Sequence, residues 1–218
     1  MLAALASVLV RAFVMQPFSV PTGSMEETIG THERILVSKM GTIERGEVVV
    51  FLDPGDWLEP DQDVGPARAA LEWAGLASSS SNDHLVKRVI GMPGDHLVCC
   101  RPDGRLEVNG YPLDEASYLY PGDVPSRSSF DVTVPVDAMW VMGDHRSLSG
   151  DSRCHVIDGS AFVPLDLVTG RAVATVWPLR DADALGVPDA FEDVPEPEPA
   201  PAEPVVARPS ICPGGAAL

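Results

Sequence analysis

Leu85-Val86-Lys87-Arg88-Val89-Ile90-Gly91-Met92-Pro93-Gly94-Asp95 reads as a β-branched and aliphatic strand that runs straight into a Gly/Pro turn. Strand alternation puts Leu85, Lys87 and Val89 on one face and Val86, Arg88 and Ile90 on the other. Lys87 thus stands between two aliphatic neighbours on its own face. If that face is buried, desolvation disfavours the ammonium, and the amine becomes able to take a proton near pH 8. The plainer alternative is a surface lysine guarding an edge strand. Outward from this stretch the same signature repeats. Strands are expected from Arg34 to Met40, at Arg45-Gly46-Glu47-Val48-Val49-Val50-Phe51 before Asp53-Pro54-Gly55, and at 95–100, 105–109, 130–134, 138–142 and 171–177. Asn109-Gly110, between Val108 and Tyr111, is a type I′ hairpin signal. Short strands with such turns predict a mainly β, antiparallel, folded-sheet or barrel-like body.

Composition agrees. The chain's 21 Pro and 19 Gly favour strands and turns over long helices, and its formal charge of -17 argues against nucleic acid as a partner, since phosphate binding needs a basic surface. Two segments interrupt the strand pattern. Residues 56–83 form an excursion, with a helix candidate at 67–74 and a serine run at 78–81. Residues 181–218 hold eight Pro and eight acids against one Arg, which reads as a disordered acidic tail. The catalytic body is therefore placed at 18–180. Four cysteines, Cys99, Cys100, Cys154 and Cys212, leave a bridge from Cys99 or Cys100 to Cys154 open. Adjacent cysteines rarely pair with each other. Neither the cysteines nor the five histidines show metal-ligand spacing, so no metal is expected.

The first 17 residues are apolar apart from Ser7, Arg11 and Gln16. A full membrane span takes about 20 apolar residues, and a central Arg opposes insertion by ~2.5 kcal/mol or more. A cleavable leader, an interfacial helix and the last part of a span whose beginning lies outside this chain are the three readings. No basic residue precedes the run, which favours the third, with Pro17 ending the helix. Next comes Pro21-Thr22-Gly23-Ser24-Met25, a small-residue turn where a serine hydroxyl can approach a ligand. A serine nucleophile needs a base. No histidine lies in a recognisable triad motif, and Lys87 is the alternative.

Pro21 to Met25, Arg45 to Phe51, Lys87-Arg88 with Gly91 to Asp95, and Gly143-Asp144-His145-Arg146-Ser147-Leu148-Ser149-Gly150-Asp151-Ser152-Arg153, in that order, resemble the boxes of the type I signal peptidases. The chain departs from the usual pattern at His145 and Leu148, at Glu47, and at Glu26-Glu27, where a proline is lost. The resemblance implies a serine-lysine dyad peptidase of the signal peptidase fold with an amino-terminal membrane helix. Ser24 would be the nucleophile and Lys87 the general base. The Ser24 amide and the Thr22 hydroxyl would form the oxyanion hole, and Ser149 would orient the lysine. Arg88, Asp144, Arg146, Asp151 and Arg153 would pin the last loop, with Asp144 pairing to Arg88. Shallow pockets for small side chains would be lined by Phe18, Val20, Pro21, Met25, Ile29, Ile35, Val50, Leu85 and Val86.

The resemblance further implies cleavage of signal peptides from exported preproteins after Ala-X-Ala sites, without a cofactor. It places the enzyme at the cytoplasmic membrane as a single-pass protein with its body outside, alongside the translocation machinery. A self-cleaving, repressor-like Ser-Lys protein shares the dyad but would be cytoplasmic and would bind DNA. A membrane-tethered binding module without catalysis is the rival from a different class. Replacing Ser24 or Lys87 separates it from a peptidase.

Overall fold

The strand-and-turn pattern becomes two antiparallel sheets in the computed structural model, which describes residues 14–55, 57–58 and 83–210. The larger sheet contains β1 (Met15–Ser19), β2 (Arg34–Ser38), β3 (Val48–Leu52), β4 (His84–Gly91), β9 (Ala138–Met142), β10 (Val163–Pro164) and β11 (Val168–Trp177). Their spatial order is β1-β2-β11-β3-β4-β9-β10, and β12 (Asp183–Ala184) pairs with β11. The smaller sheet contains β5 (His96–Cys99), β6 (Glu107–Val108), β7 (Tyr111–Pro112), β8 (Phe130–Thr133) and β13 (Val205–Arg208), in the order β13-β8-β5-β6-β7. Asn109 and Gly110 turn β6 into β7 with φ of 53° and 80°, the left-handed pair that a type I′ turn requires.

β4 is the strand on which both sheets depend. Past its half-buried first residue it is buried throughout, because it lies between β3 and β9 and has side chains packed on both faces. Val86 joins a cluster with Phe18, Met25, Ile29 and Val50. Leu85 and Val89 join another with Phe51 and Val141. Ile90 reaches the cluster under the smaller sheet, with Leu97, Phe130 and Trp140. Burial of this order stabilises by roughly 1.5–3 kcal/mol per large apolar side chain, so β4 is a firmly anchored element.

Three expectations change. Residues 15–17 belong to a strand and not to the end of a membrane helix: Met15–Ser19 pairs with Ser38–Arg34. Pro17 is tolerated there because β1 is an edge strand, where one missing N–H need break no ladder. Residues 1–13 lie outside the described residues, and among those described no helix is long and apolar enough to cross a membrane. The helix candidate at 67–74 and the serine run also lie outside them.

The described part of the tail is ordered on the body. β12 extends β11, β13 adds to β8, and Phe191 and Val194 are buried in the core under the smaller sheet. A few apolar anchors with backbone pairing suffice because proline-rich chain has less conformational freedom to lose.

The cysteines also differ. Cys99 is bonded to Cys100, and Cys154 is in a disulfide with neither of them. Cys99 ends β5 inside a core against which Cys100 also packs, which holds the two sulfurs on one side of the chain.

Candidate active site

β1 leads into a tight loop closed by backbone hydrogen bonds. Val20 N donates to Glu33 O at 2.9 Å and His32 N to Val20 O at 2.7 Å, closing the base of the loop. Inside it, Glu26 N donates to Gly23 O and Ile29 N to Met25 O. Met25 and Ile29 are fully buried, so two apolar side chains anchor the turn. Glu27, where the usual proline is absent, has φ of 87°, a conformation that proline's ring forbids. Ser24, next to the Met25 anchor, is only 4% exposed.

Lys87 comes to this serine from the middle of β4, opposite Val49 of β3. Its Nζ donates to Ser24 Oγ at 2.7 Å and to Val86 O at 3.1 Å. The side chain is buried, and desolvation lowers its pKa from the usual 10.5 to about 8. The carboxylates of Asp151 and Asp144 pull it up and Arg153 pushes it down, all by less than the desolvation. A serine hydroxyl in contact with an amine that is partly neutral at mild pH has the geometry that general-base activation of a nucleophile requires.

Asp144, in the loop after β9, is fully buried and bonds Arg88 through both oxygens, at 2.8 and 2.6 Å. Arg88 also donates to Gly46 O and Thr28 Oγ1, and Thr28 Oγ1 donates to Asp144. One ion pair thereby ties β4, the turn before β3 and the serine loop together. Asp151 accepts two bonds from the Arg153 guanidinium, at 2.8 Å each, one from Arg153 N at 3.2 Å and one from Gly143 N at 3.0 Å. Burial alone would raise the Asp151 pKa, but Arg153 and these hydrogen bonds hold it below the usual value. Arg146 donates to Gly143 O and Pro125 O and pairs with Glu115. Burial is outweighed there by Glu115 and Tyr118, so Arg146 stays charged.

The 143–153 loop is thus held by three arginine-carboxylate pairs, those of Arg88, Arg146 and Arg153, whose charged groups are almost wholly withdrawn from water. Pairing is a condition of such burial, since an unpaired charge there would cost several kcal/mol.

Not every expected residue meets the dyad. Ser149 is buried and makes no hydrogen bond to Lys87. Its Oγ has no partner of good geometry, and it lies close enough to Asp151 to help hold that carboxyl down. Thr22 and Pro21 are exposed. Phe18, Val20, Met25, Ile29, Ile35, Val50 and Val86 form one apolar cluster beside Ser24. Leu85 belongs to a different one, because it points to the opposite face of β4 from Val86.

The sequence reading missed Thr28, Glu115 and Tyr118. Tyr118 lies under the Arg88 guanidinium, 4.5 Å from ring centre to Cζ, and donates to Glu115 at 2.8 Å. Glu115 and Tyr118 stand in a loop between β7 and β8 that carries no motif, and only the tertiary fold brings them under Arg88 and Arg146. Among the described residues no three His, Cys, Asp or Glu side chains converge to hold a metal ion.

Known proteins are similar to this chain over most of its length. The profile described as "Signal peptidase, peptidase S26" matches residues 1–177. The chain belongs to that family. Among its relatives, a signal peptidase I of Mycobacterium tuberculosis is 35% identical over 199 residues, spanning 76% of this chain and 66% of that one. A probable signal peptidase I of Mycobacterium leprae is 35% identical over 204 residues, spanning 76% and 70%. The chain therefore spans about two thirds of the length of these relatives. A crystal structure of a signal peptidase I from Enterococcus faecalis covers 61% of this chain and 97% of its own at 21% identity, with a TM-score of 0.39.

Proposed function

We propose that this chain is a signal peptidase I: a serine endopeptidase that removes signal peptides from exported preproteins with a Ser24-Lys87 dyad. The observation that carries the reading is the 2.7 Å contact between Ser24 Oγ and the buried Nζ of Lys87. Family membership and the names of the relatives support the substrate class. In this reading neutral Lys87 takes the Ser24 hydroxyl proton as Oγ attacks the scissile carbonyl. The Ser24 amide and the Thr22 hydroxyl, on the exposed side of the turn, donate to the oxyanion. Lys87 then gives its proton to the leaving amine, and water hydrolyses the acyl-Ser24 ester by the same route in reverse.

The apolar cluster beside Ser24 favours small, uncharged side chains before the cut, as in Ala-X-Ala, because closely packed Met and Ile walls exclude bulk by sterics. The preprotein's leader would lie in extended form against this surface. The apolar sequence ahead of β1 would hold the enzyme at the cytoplasmic membrane, its body on the outer side where preproteins emerge from the translocation machinery.

The test is cleavage of a preprotein bearing an Ala-X-Ala site by the purified chain in detergent, compared with Ser24→Ala and Lys87→Ala. Wild type should cut after the second Ala, and both variants should be inactive yet folded. Because the base acts only when neutral, the rate should rise with pH through about 8 and level above it. A folded wild type that cuts nothing would favour the membrane-tethered binding module, and near-normal turnover by Lys87→Ala would rule out the dyad.

A further inference from the structure

The loop that bears Ser24 is held from outside by a side-chain unit to which neither the dyad nor the arginine pairs contribute. His145 N donates to Ser24 O at 3.1 Å, so the backbone of one residue fixes the carbonyl of the nucleophile. The His145 ring lies flat on Tyr120, with centroids 3.7 Å apart and planes 7° from parallel. Tyr120 N in turn donates to Asp144 O at 3.1 Å. On its open side His145 Nδ1 is 3.2 Å from Glu26 Oε2, while Glu26 Oε1 accepts from Thr31 Oγ1 at 2.8 Å. The Glu26 carboxyl also lies over Gly23, where an added Cβ would come within 3.0–3.1 Å of it.

We infer that the Glu26-His145-Tyr120 unit sets the position of the Ser24 turn, with His145 and Glu26 as positioning residues for the nucleophile. The inference rests on the peptidase reading for its kinetic consequence but not for its structural one. Three constraints converge on residues 23–25: the His145 amide on the Ser24 carbonyl, the Glu26 amide on the Gly23 carbonyl, and the Glu26 carboxyl packed over Gly23. The His145-Glu26 contact joins the first two through side chains. The His145 side chain is 13% exposed and that of Glu26 34%, so the unit is shielded enough to be ordered and lies outside the sealed Arg88-Asp144 core. The His145 ring reaches Glu26 and stacks on Tyr120 at once.

The experiment compares wild type, His145→Phe, Glu26→Ala, Glu26→Gln and the His145→Phe/Glu26→Ala double variant. It reads kcat and KM on the Ala-X-Ala preprotein, the melting temperature, and amide hydrogen exchange at Glu26 and His145. His145→Phe keeps a ring on Tyr120 and loses the Nδ1 contact. A misplaced nucleophile slows the chemical step more than binding, so each single variant should lose roughly 10-fold in kcat with KM little changed. The double variant should be no worse than either single, since both remove one interaction. Glu26→Gln, which retains a hydrogen-bonding group of the same shape, should recover most of the turnover. Melting temperatures should stay close to wild type, and exchange at Glu26 and His145 should speed up in the single variants.

Unchanged exchange in both single variants, or losses in kcat that multiply in the double variant, would overturn the inference. If wild type does not turn over, the peptidase reading falls, and the exchange comparison still decides whether the unit holds the turn.

Discussion

Lys87 has an energetic consequence beyond its contact with Ser24. Its pKa is about 8 in the folded chain against an ordinary 10.5, so between those values the unfolded chain binds more protons than the folded one. Stability therefore rises with pH through that window, and below it the buried ammonium opposes folding. Lys87→Met, which keeps the length and removes the charge, should be more stable than wild type at pH 7 by about 3 kcal/mol, less whatever the two lost hydrogen bonds contribute. The advantage should shrink as pH rises from 8 and vanish near 10.5. Urea midpoints at pH 7 and pH 10 measure it, and equal stability of the two proteins at pH 7 would mean that Lys87 is better solvated than its burial implies. The sequence already marked this residue, because strand alternation put two aliphatics on its face. It could not mark Tyr118 or Thr28, whose roles depend on Arg88 lying between them. The expected hydrogen bond from Ser149 to Lys87 is likewise not among those formed, since Ser149 Oγ is buried without a partner of good geometry.

The element that depends most on exact backbone placement is the 143–153 loop. It leaves β9 at Gly143, whose N–H donates to Asp151 and whose carbonyl accepts from Arg146. Farther along, Arg153 donates to Arg146 O and Ser152 Oγ accepts from Val141 N. The loop is thus bonded to itself and to β9 before it touches the serine turn. A Cβ on Gly143 would stand 2.3 Å from Ser149 Oγ and 2.5 Å from Ser24 O, one contact with its own loop and one with the nucleophile's backbone. Gly143→Ala should therefore move Ser24 relative to Lys87 and lower kcat by roughly 10²-fold, the usual scale for a misplacement of about 1 Å. Circular dichroism and kcat on the same sample check it, and full activity would show that the loop yields without disturbing the serine. The order of this element's charges was legible in the sequence. Of their partners only Arg88 for Asp144 was expected: Arg146 finds Glu115 across the fold, and Arg153 takes the nearby Asp151.

On the scale of the whole molecule, the segment after Arg180 joins the two sheets from outside. Leu185 N donates to Val173 O, Asn109 Nδ2 to Pro195 O at 2.9 Å, and Val136 N to Pro201 O at 2.9 Å. Phe191 stacks on Tyr118 with centroids 6.0 Å apart and fits over Gly46, where an added Cβ would lie 2.7 Å from its ring and where φ is +82°. The strap thereby covers the Tyr118 and Arg88 layer through Phe191. Phe191→Ala should cost about 3 kcal/mol in urea unfolding, and removal of residues 181–218 should cost more and lower the melting temperature. An unchanged midpoint for both would show that the segment only rests on the surface.

Sequence alone determined the strand-rich, antiparallel character of this protein, the order of its motifs and the choice of Ser24 and Lys87 as the residues to look for together. These follow from local periodicity, turn chemistry and residue type, which the chain carries wherever it folds. Tertiary structure alone decided that residues 15–17 form a strand, that the acidic segment is a strap, that Cys99 pairs with Cys100, and which groups surround Arg88 and Arg146. Each of these turns on contacts between residues distant in the chain or on the path of the backbone at one point, and a Pro-rich acidic segment or a short apolar run looks the same in sequence whether or not a surface is there to receive it.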